Sequence, residues 1–115
     1  MYDLHDFLAP VDIHLLNEDS GYNDGQFAKH INIYSEELPD ITNADIVLVG
    51  VDEFRGSGNF NERINAANVI RKQLYQLHYW HFDTSIADIG NIKTGASLND
   101  SYAAVKTVVA ELLRM

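Results

Sequence analysis

Six consecutive residues, Ile46-Val47-Leu48-Val49-Gly50-Val51, carry no polar side chain, and four of them are β-branched. A half-solvated strand alternates apolar with polar residues. An unbroken β-branched run instead suits a strand covered on both faces, as in a parallel sheet. Val47 and Val49 then point to one side and Ile46 and Leu48 to the other, so helices or further strands must cover both. The 115 residues and 13.0 kDa fit one domain, and a chain of this size buries roughly two-thirds of its unfolded surface on folding.

The elements around this strand follow from spacing. Ile64, Ala67, Ile70, Leu74 and Leu77 recur at three and four residues, which predicts a helix from Glu62 to His78 with one apolar stripe. Ser85 to Ile89 reads as a second strand ending at Gly90-Asn91. Leu98, Tyr102, Val105, Val109 and Leu112 mark a last helix, and Ser97, three residues before Asp100, is its start signal. Ahead of the first strand, Pro10, Ser20-Gly21, Asp24-Gly25 and Pro39 break the chain into short pieces. Phe27, His30, Ile31, Tyr34 and Leu38 predict one short helix there, from about Gln26 to Glu37. The expected fold class is α/β, a partial three-layer parallel sheet in the order strand, helix, strand, helix, with right-handed crossovers. Residues 1–43 form an irregular, partly helical acidic arm and residues 44–115 the core. A parallel pair leaves a sheet edge or face uncovered, so either an arm strand adds to the sheet or another chain does. Self-association is the expectation that follows.

Charge narrows the partners. The net charge is −9, unsuited to nucleic acid, whose nonspecific binding needs lysine and arginine to displace phosphate counterions. The imbalance sits in the first half: Met1 to Glu53 hold twelve acidic residues and one basic residue, Lys29, whereas Phe54 to Met115 sum to +2. This is either a solvated acidic face or an arm that docks on a basic surface. No apolar run is long enough to span a membrane, and Asp3, His5 and Asp6 interrupt any secretory-type start. A cytoplasmic location is the default expectation. With no cysteine in the sequence, disulfides, thiolate zinc sites and thiol catalysis are excluded for these residues.

Between the first strand and its helix lies Phe54-Arg55-Gly56-Ser57-Gly58-Asn59. Ligands of open α/β sheets bind at this carboxyl end of a strand, where glycines let backbone amides approach an anion. Arg55, Gly56, Ser57, Gly58 and Asn59 are therefore candidate ligand-binding residues, with Arg55 as an anion clamp. The competing reading is a flexible connection that uses glycine for tight turns. Neither phosphate fingerprint is matched: no Gly-x-x-x-x-Gly-Lys-Ser/Thr occurs, and Asn61 stands where a third glycine would be. Among the histidines, His78 and His81 are three apart, but Tyr79 and Trp80 between them point to packing at a helix end. Asp12-Ile13-His14 begins an Asp-x-His-x-Asp pattern that Leu16 breaks, and no Asp-x-Asp occurs. Ser57 and Ser97 have no identifiable base. Asp88 either faces a ligand or is a buried, capped aspartate. Neither catalytic nor metal-binding residues are assigned.

Four segments together carry a family resemblance: Ala44 to Val51, Phe54 to Asn59, Ala66 to Tyr75 with its Ile70-Arg71 pair, and Ala87-Asp88-Ile89-Gly90-Asn91. They resemble the opening of the ureohydrolase family of arginase, agmatinase and formimidoylglutamase, nearest the formimidoylglutamase-like branch. Asn91 departs from that pattern, standing where the family's Asp-x-Gly-Asp-like turn has its last acid. The resemblance implies a ureohydrolase-like fold and, for a full-length member, hydrolysis of a guanidino or formimino carbon by a hydroxide bridging two manganese ions. In the family those ions are held by a histidine after the third core strand and by later Asp-x-His-x-Asp and Asp-x-Asp segments. Neither of those segments occurs in these residues. The expectation is a portion inactive alone, completed by a C-terminal ureohydrolase portion, because without metal no hydroxide forms at neutral pH. A free-standing α/β binding or assembly module is the alternative.

Overall fold

The structure is a computed structural model that describes residues 4–12, 22–51, 66–78, 83–93 and 97–114. Among these residues it has an α/β fold with a mixed four-stranded sheet and two helices. The strands are β1 (Leu8–Ala9), β2 (Asn32–Ile33), β3 (Ile46–Val51) and β4 (Ile86–Ile92), and the helices are α1 (Ala66–Leu74) and α2 (Leu98–Leu113). Two short 3-10 turns, Leu4–Phe7 and Phe27–Lys29, precede β1 and β2.

The sheet is built on β4. Parallel β3 runs along one edge of it, from Ile46 opposite Ile86 to Val51 opposite Ile92. The other edge is shared: β2 pairs parallel with Ala87 and Asp88, and β1 pairs antiparallel with Asn91 and Ile92. The all-parallel expectation is thus corrected to a mixed sheet, because the chain doubles back at Leu8–Ala9. Of the two ways to complete the sheet, the arm takes the first, contributing both β1 and β2.

Burial is distributed differently from the sequence expectation. The strand covered on both faces is β4, where only Asn91 is less than buried; β3 lies at the sheet edge among the described residues, with Ile46 46% and Val51 48% exposed. Asp88, Gly90 and Asn91 dilute the apolar signal of β4, whereas β3 advertises itself without being central. The second strand also continues past Gly90-Asn91 to Ile92. Gly90 permits this with a left-handed backbone (φ +83°), and a Cβ there would overlap the carbonyl oxygen of Ala9. One extra residue of β4 between Asp88 and Asn91 is absorbed opposite Leu48 and Gly50.

The helix expected over Gln26 to Glu37 is replaced by the Phe27–Lys29 turn and strand β2. Long-range bonds claim its backbone: Phe27 and Ala28 N–H donate to the carbonyls of Leu77 and Tyr75, and Tyr34 N–H donates to that of Asp88. Both long helices are present, and their buried faces match the expected stripes in part: Val105 and Leu112 of α2 pack against the core, while other positions differ. On α1, Ile70 is 65% exposed while Arg71, and Tyr75 just past the helix end, are buried. On α2, Ser101, Val108 and Glu111 are buried and Tyr102 is exposed. The Ser97 cap forms as expected, its hydroxyl accepting from Asp100 N–H at 3.1 Å.

The main core joins arm, sheet and α2. Leu4, Leu8, Tyr34, Ile89, Ile92 and Val108 are its buried members, and Val47, Val49 and Val105 pack against it. A smaller cluster of Val11, Ala28 and Tyr75 lies by the end of α1. Val47 and Val49 therefore face α2, and Leu48 and Gly50 line the space beneath α1.

Candidate functional site

The carboxyl ends of β3 and β4, with α1 beside them, form the region where an open α/β sheet receives a ligand. Its centre is a buried charge pair. Arg71, 5% exposed, reaches Asp88, 0% exposed, through two parallel bonds: Nε to Oδ2 at 2.8 Å and Nη2 to Oδ1 at 2.9 Å. Such a bidentate fork fixes orientation as well as charge. The remaining guanidinium donors also have partners. Nη2 donates to the Gly90 carbonyl at 2.9 Å, and Nη1 donates to the Oδ1 atoms of Asn91 and Asn68. Tyr75 OH donates to Asp88 Oδ2 at 2.5 Å, and Gly90 N–H donates to Oδ1 at 3.1 Å.

Local sequence places each member. Arg71 and Tyr75 are four residues apart and lie on one face of α1, with Tyr75 at its end and Asp88 beneath them in the middle of β4. Burial, reinforced by the Asp88 carboxylate, pushes the Tyr75 phenol far above its ordinary range. The carboxylate accepts from Arg71, Tyr75 and Gly90 and has no oxygen left over. That makes the cluster a clamp holding α1 on the sheet and fixing the Gly90-Asn91 turn.

Beside the clamp is an open cavity of about 240 Å³ lined by residues 48–51 of β3, by Ala66, Ala67, Ile70, Arg71 and Leu74 of α1, and by Asp88. Glycine at position 50 is a steric requirement, since a Cβ there would overlap Asn91 Oδ1 and press on Ala67.

The sequence-stated candidates Arg55, Gly56, Ser57, Gly58 and Asn59 lie outside the described residues, as do His14 and His81. His78 is exposed after α1, with its ring against Gly25. Asp88 is the buried, capped aspartate of the two readings. In the sequence Arg71 and Tyr75 stand out only as members of the Ala66 to Tyr75 segment, with no role attached to either. The available signal was an arginine and a tyrosine at helical spacing, together with an aspartate inside an apolar strand. Among the described residues no three histidine, aspartate or glutamate side chains converge, and no helix is long and apolar enough to cross a membrane. Compared with known proteins, the chain matches no family model, no curated protein and no solved structure.

Proposed function

We propose that these residues form the opening strand–helix–strand part of a ureohydrolase-like C–N hydrolase, inactive alone and completed by a C-terminal portion carrying a two-manganese centre. The observation that carries this reading is the clamp. It joins two of the segments on which the resemblance rests, the helix with Ile70-Arg71 and the strand end Ala87 to Asn91. Parallel pairing of β3 with β4, with α1 and α2 set against opposite faces, supports the same reading. The described residues do not fit manganese, because they bring no three suitable ligands together. No catalytic step is assigned to them. The test is the natural gene product: its mass, and its release of urea or formamide from arginine, agmatine or formiminoglutamate with added manganese. A product about three times this length that hydrolyses one of these supports the reading. A product ending at Met115 that hydrolyses none of them overturns it.

A second reading, a free-standing binding or assembly module, is favoured by the outer edge of β3, which pairs with no strand among the described residues.

A further inference from the structure

On the edge away from β3, strand β4 changes neighbours across a short step. Ala87 and Asp88 are paired with parallel β2, and Asn91 and Ile92 with antiparallel β1. The changeover falls at Gly90, in the stretch where β4 carries one residue more than β3. Bulges of this kind bend a strand and end one pairing so that another can begin. Among the described residues Gly90 alone has a left-handed backbone, and β1 sits so close that the carbonyl oxygen of Ala9 occupies the place of a side chain.

Three parts of the chain meet at this turn. From α1, Arg71 donates through Nη2 to the Gly90 carbonyl at 2.9 Å and through Nη1 to Asn91 Oδ1. Within β4, Asp88 Oδ1 accepts from Gly90 N–H at 3.1 Å. From the arm, Ala9 lies opposite Asn91 and Leu8 opposite Ile92, and the Phe7 carbonyl accepts from Lys93 N–H at 2.8 Å. Strand β1 is two residues long, so its register depends on the shape of β4 beside it. A slip of one residue would turn Leu8, 1% exposed, out of the core.

We infer that Arg71 is the latch of a strap: by holding the Gly90 carbonyl and the Asn91 side chain it keeps the left-handed turn in the shape that seats β1, and when the guanidinium lets go, residues 4–9 lift from β4 while β2 and β3 stay paired with it. The two tasks of the guanidinium use separate bonds. Nε and one bond of Nη2 hold Asp88, whereas Nη1 and the second bond of Nη2 hold the turn. A lysine can do the first and not the second, because its ammonium is a point charge without the planar fork. The other strands have their own anchors: Tyr34 N–H, just past β2, donates to the Asp88 carbonyl at 2.8 Å, and β3 has its ladder from Ile46 to Val51. Parts of a domain with separate anchors open at separate free energies. The strap and its latch lie wholly within the described residues, and they operate under either reading of the function.

The test is native-state amide hydrogen exchange on the 115-residue chain, read at three amides. Lys93, bonded to the Phe7 carbonyl, reports the strap; Tyr34, bonded to Asp88, reports β2; Ile46, bonded to Ser85, reports β3. All three are expected to be protected in the parent chain. Arg71→Lys should speed exchange at Lys93 at least about tenfold more than at Tyr34 and Ile46, those two rising together. Asn91→Ala removes one of the two turn contacts and leaves the Asp88 fork in place; it should give the same order with a smaller ratio, and it decides alone if Arg71→Lys does not fold. Equal acceleration of the three amides means that Arg71 supports the whole fold and not the strap, and overturns the inference. A Lys93 amide that is unprotected in the parent chain, or unchanged in both variants, overturns it as well.

Discussion

Asp88 sits where a carboxylate is most expensive, at 0% exposure in the middle of the sheet, and its cost is met by Arg71, Tyr75 and the Gly90 amide. Removing one side of a buried pair leaves the other charge uncompensated, which costs about 3–5 kcal/mol. Asp88→Asn is therefore expected to lower unfolding stability by about that much in urea titrations, although it changes almost no volume. A loss below about 1 kcal/mol would mean that solvent reaches the pair. Tyr75 gives a pH signature. Its ordinary pKa is 10.0 and the fold raises it, first by burial and then through Asp88. Above about pH 10 the unfolded chain gives up this proton while the fold retains it. The fold then binds more protons than the unfolded chain, and stability falls as pH rises; below pH 10 the contribution is intact. In Tyr75→Phe the alkaline decline should flatten, at a cost of about 1–3 kcal/mol at neutral pH for the lost bond to a charged acceptor. An alkaline decline as steep as the parent's would show that Tyr75 is not its source.

At the scale of elements, the close fit of α1 on β3 depends on Gly50. Gly50→Ala places a methyl against Asn91 Oδ1, which Arg71 holds, and against Ala67. The expected loss is about 1–3 kcal/mol, the usual cost of overpacking. Pairing the change with Asn91→Ala should recover part of it, and equal losses with and without Asn91 would place the strain elsewhere. The same contacts explain what the sequence could and could not reveal. The existence of β3, α1, β4 and α2 was legible because apolar spacing is a local property, and the Ser97 cap was legible because it spans three residues. Which face α1 buries was not legible. Counting apolar residues selects Ile70, but a charge pair set by Asp88, seventeen residues from Arg71, turns Arg71 and Tyr75 inward. The 3-10 turn and strand in place of the helix over Gln26 to Glu37 have the same origin. Their backbone bonds go to residues 75, 77 and 88, and no window of the arm contains those partners.

For the whole molecule, the acidic arm is part of the sheet and core. Leu4, Leu8 and Tyr34 from the arm make up three of the six buried residues of the main cluster; the others are Ile89, Ile92 and Val108. Strands β1 and β2 are also the only described partners of β4 on the side away from β3. A chain beginning at Ala44 would keep the β3–α1–β4–α2 order, yet it would uncover Ile89, Ile92 and the outer edge of β4 together. The net stability of a domain is only about 5–15 kcal/mol, and fully burying one large aliphatic side chain contributes about 1.5–3 kcal/mol. Losing three large buried side chains and two strand pairings removes stability of the same order as the whole. Deleting residues 1–43 is accordingly expected to abolish the cooperative urea transition followed by circular dichroism and to expose apolar surface that binds the dye ANS. The milder Leu8→Ala should lower stability by about 2–5 kcal/mol while the transition stays cooperative. If the deleted chain unfolds cooperatively with a midpoint near that of the full chain, the arm is an appendage, and the core lies in residues 44–115 alone.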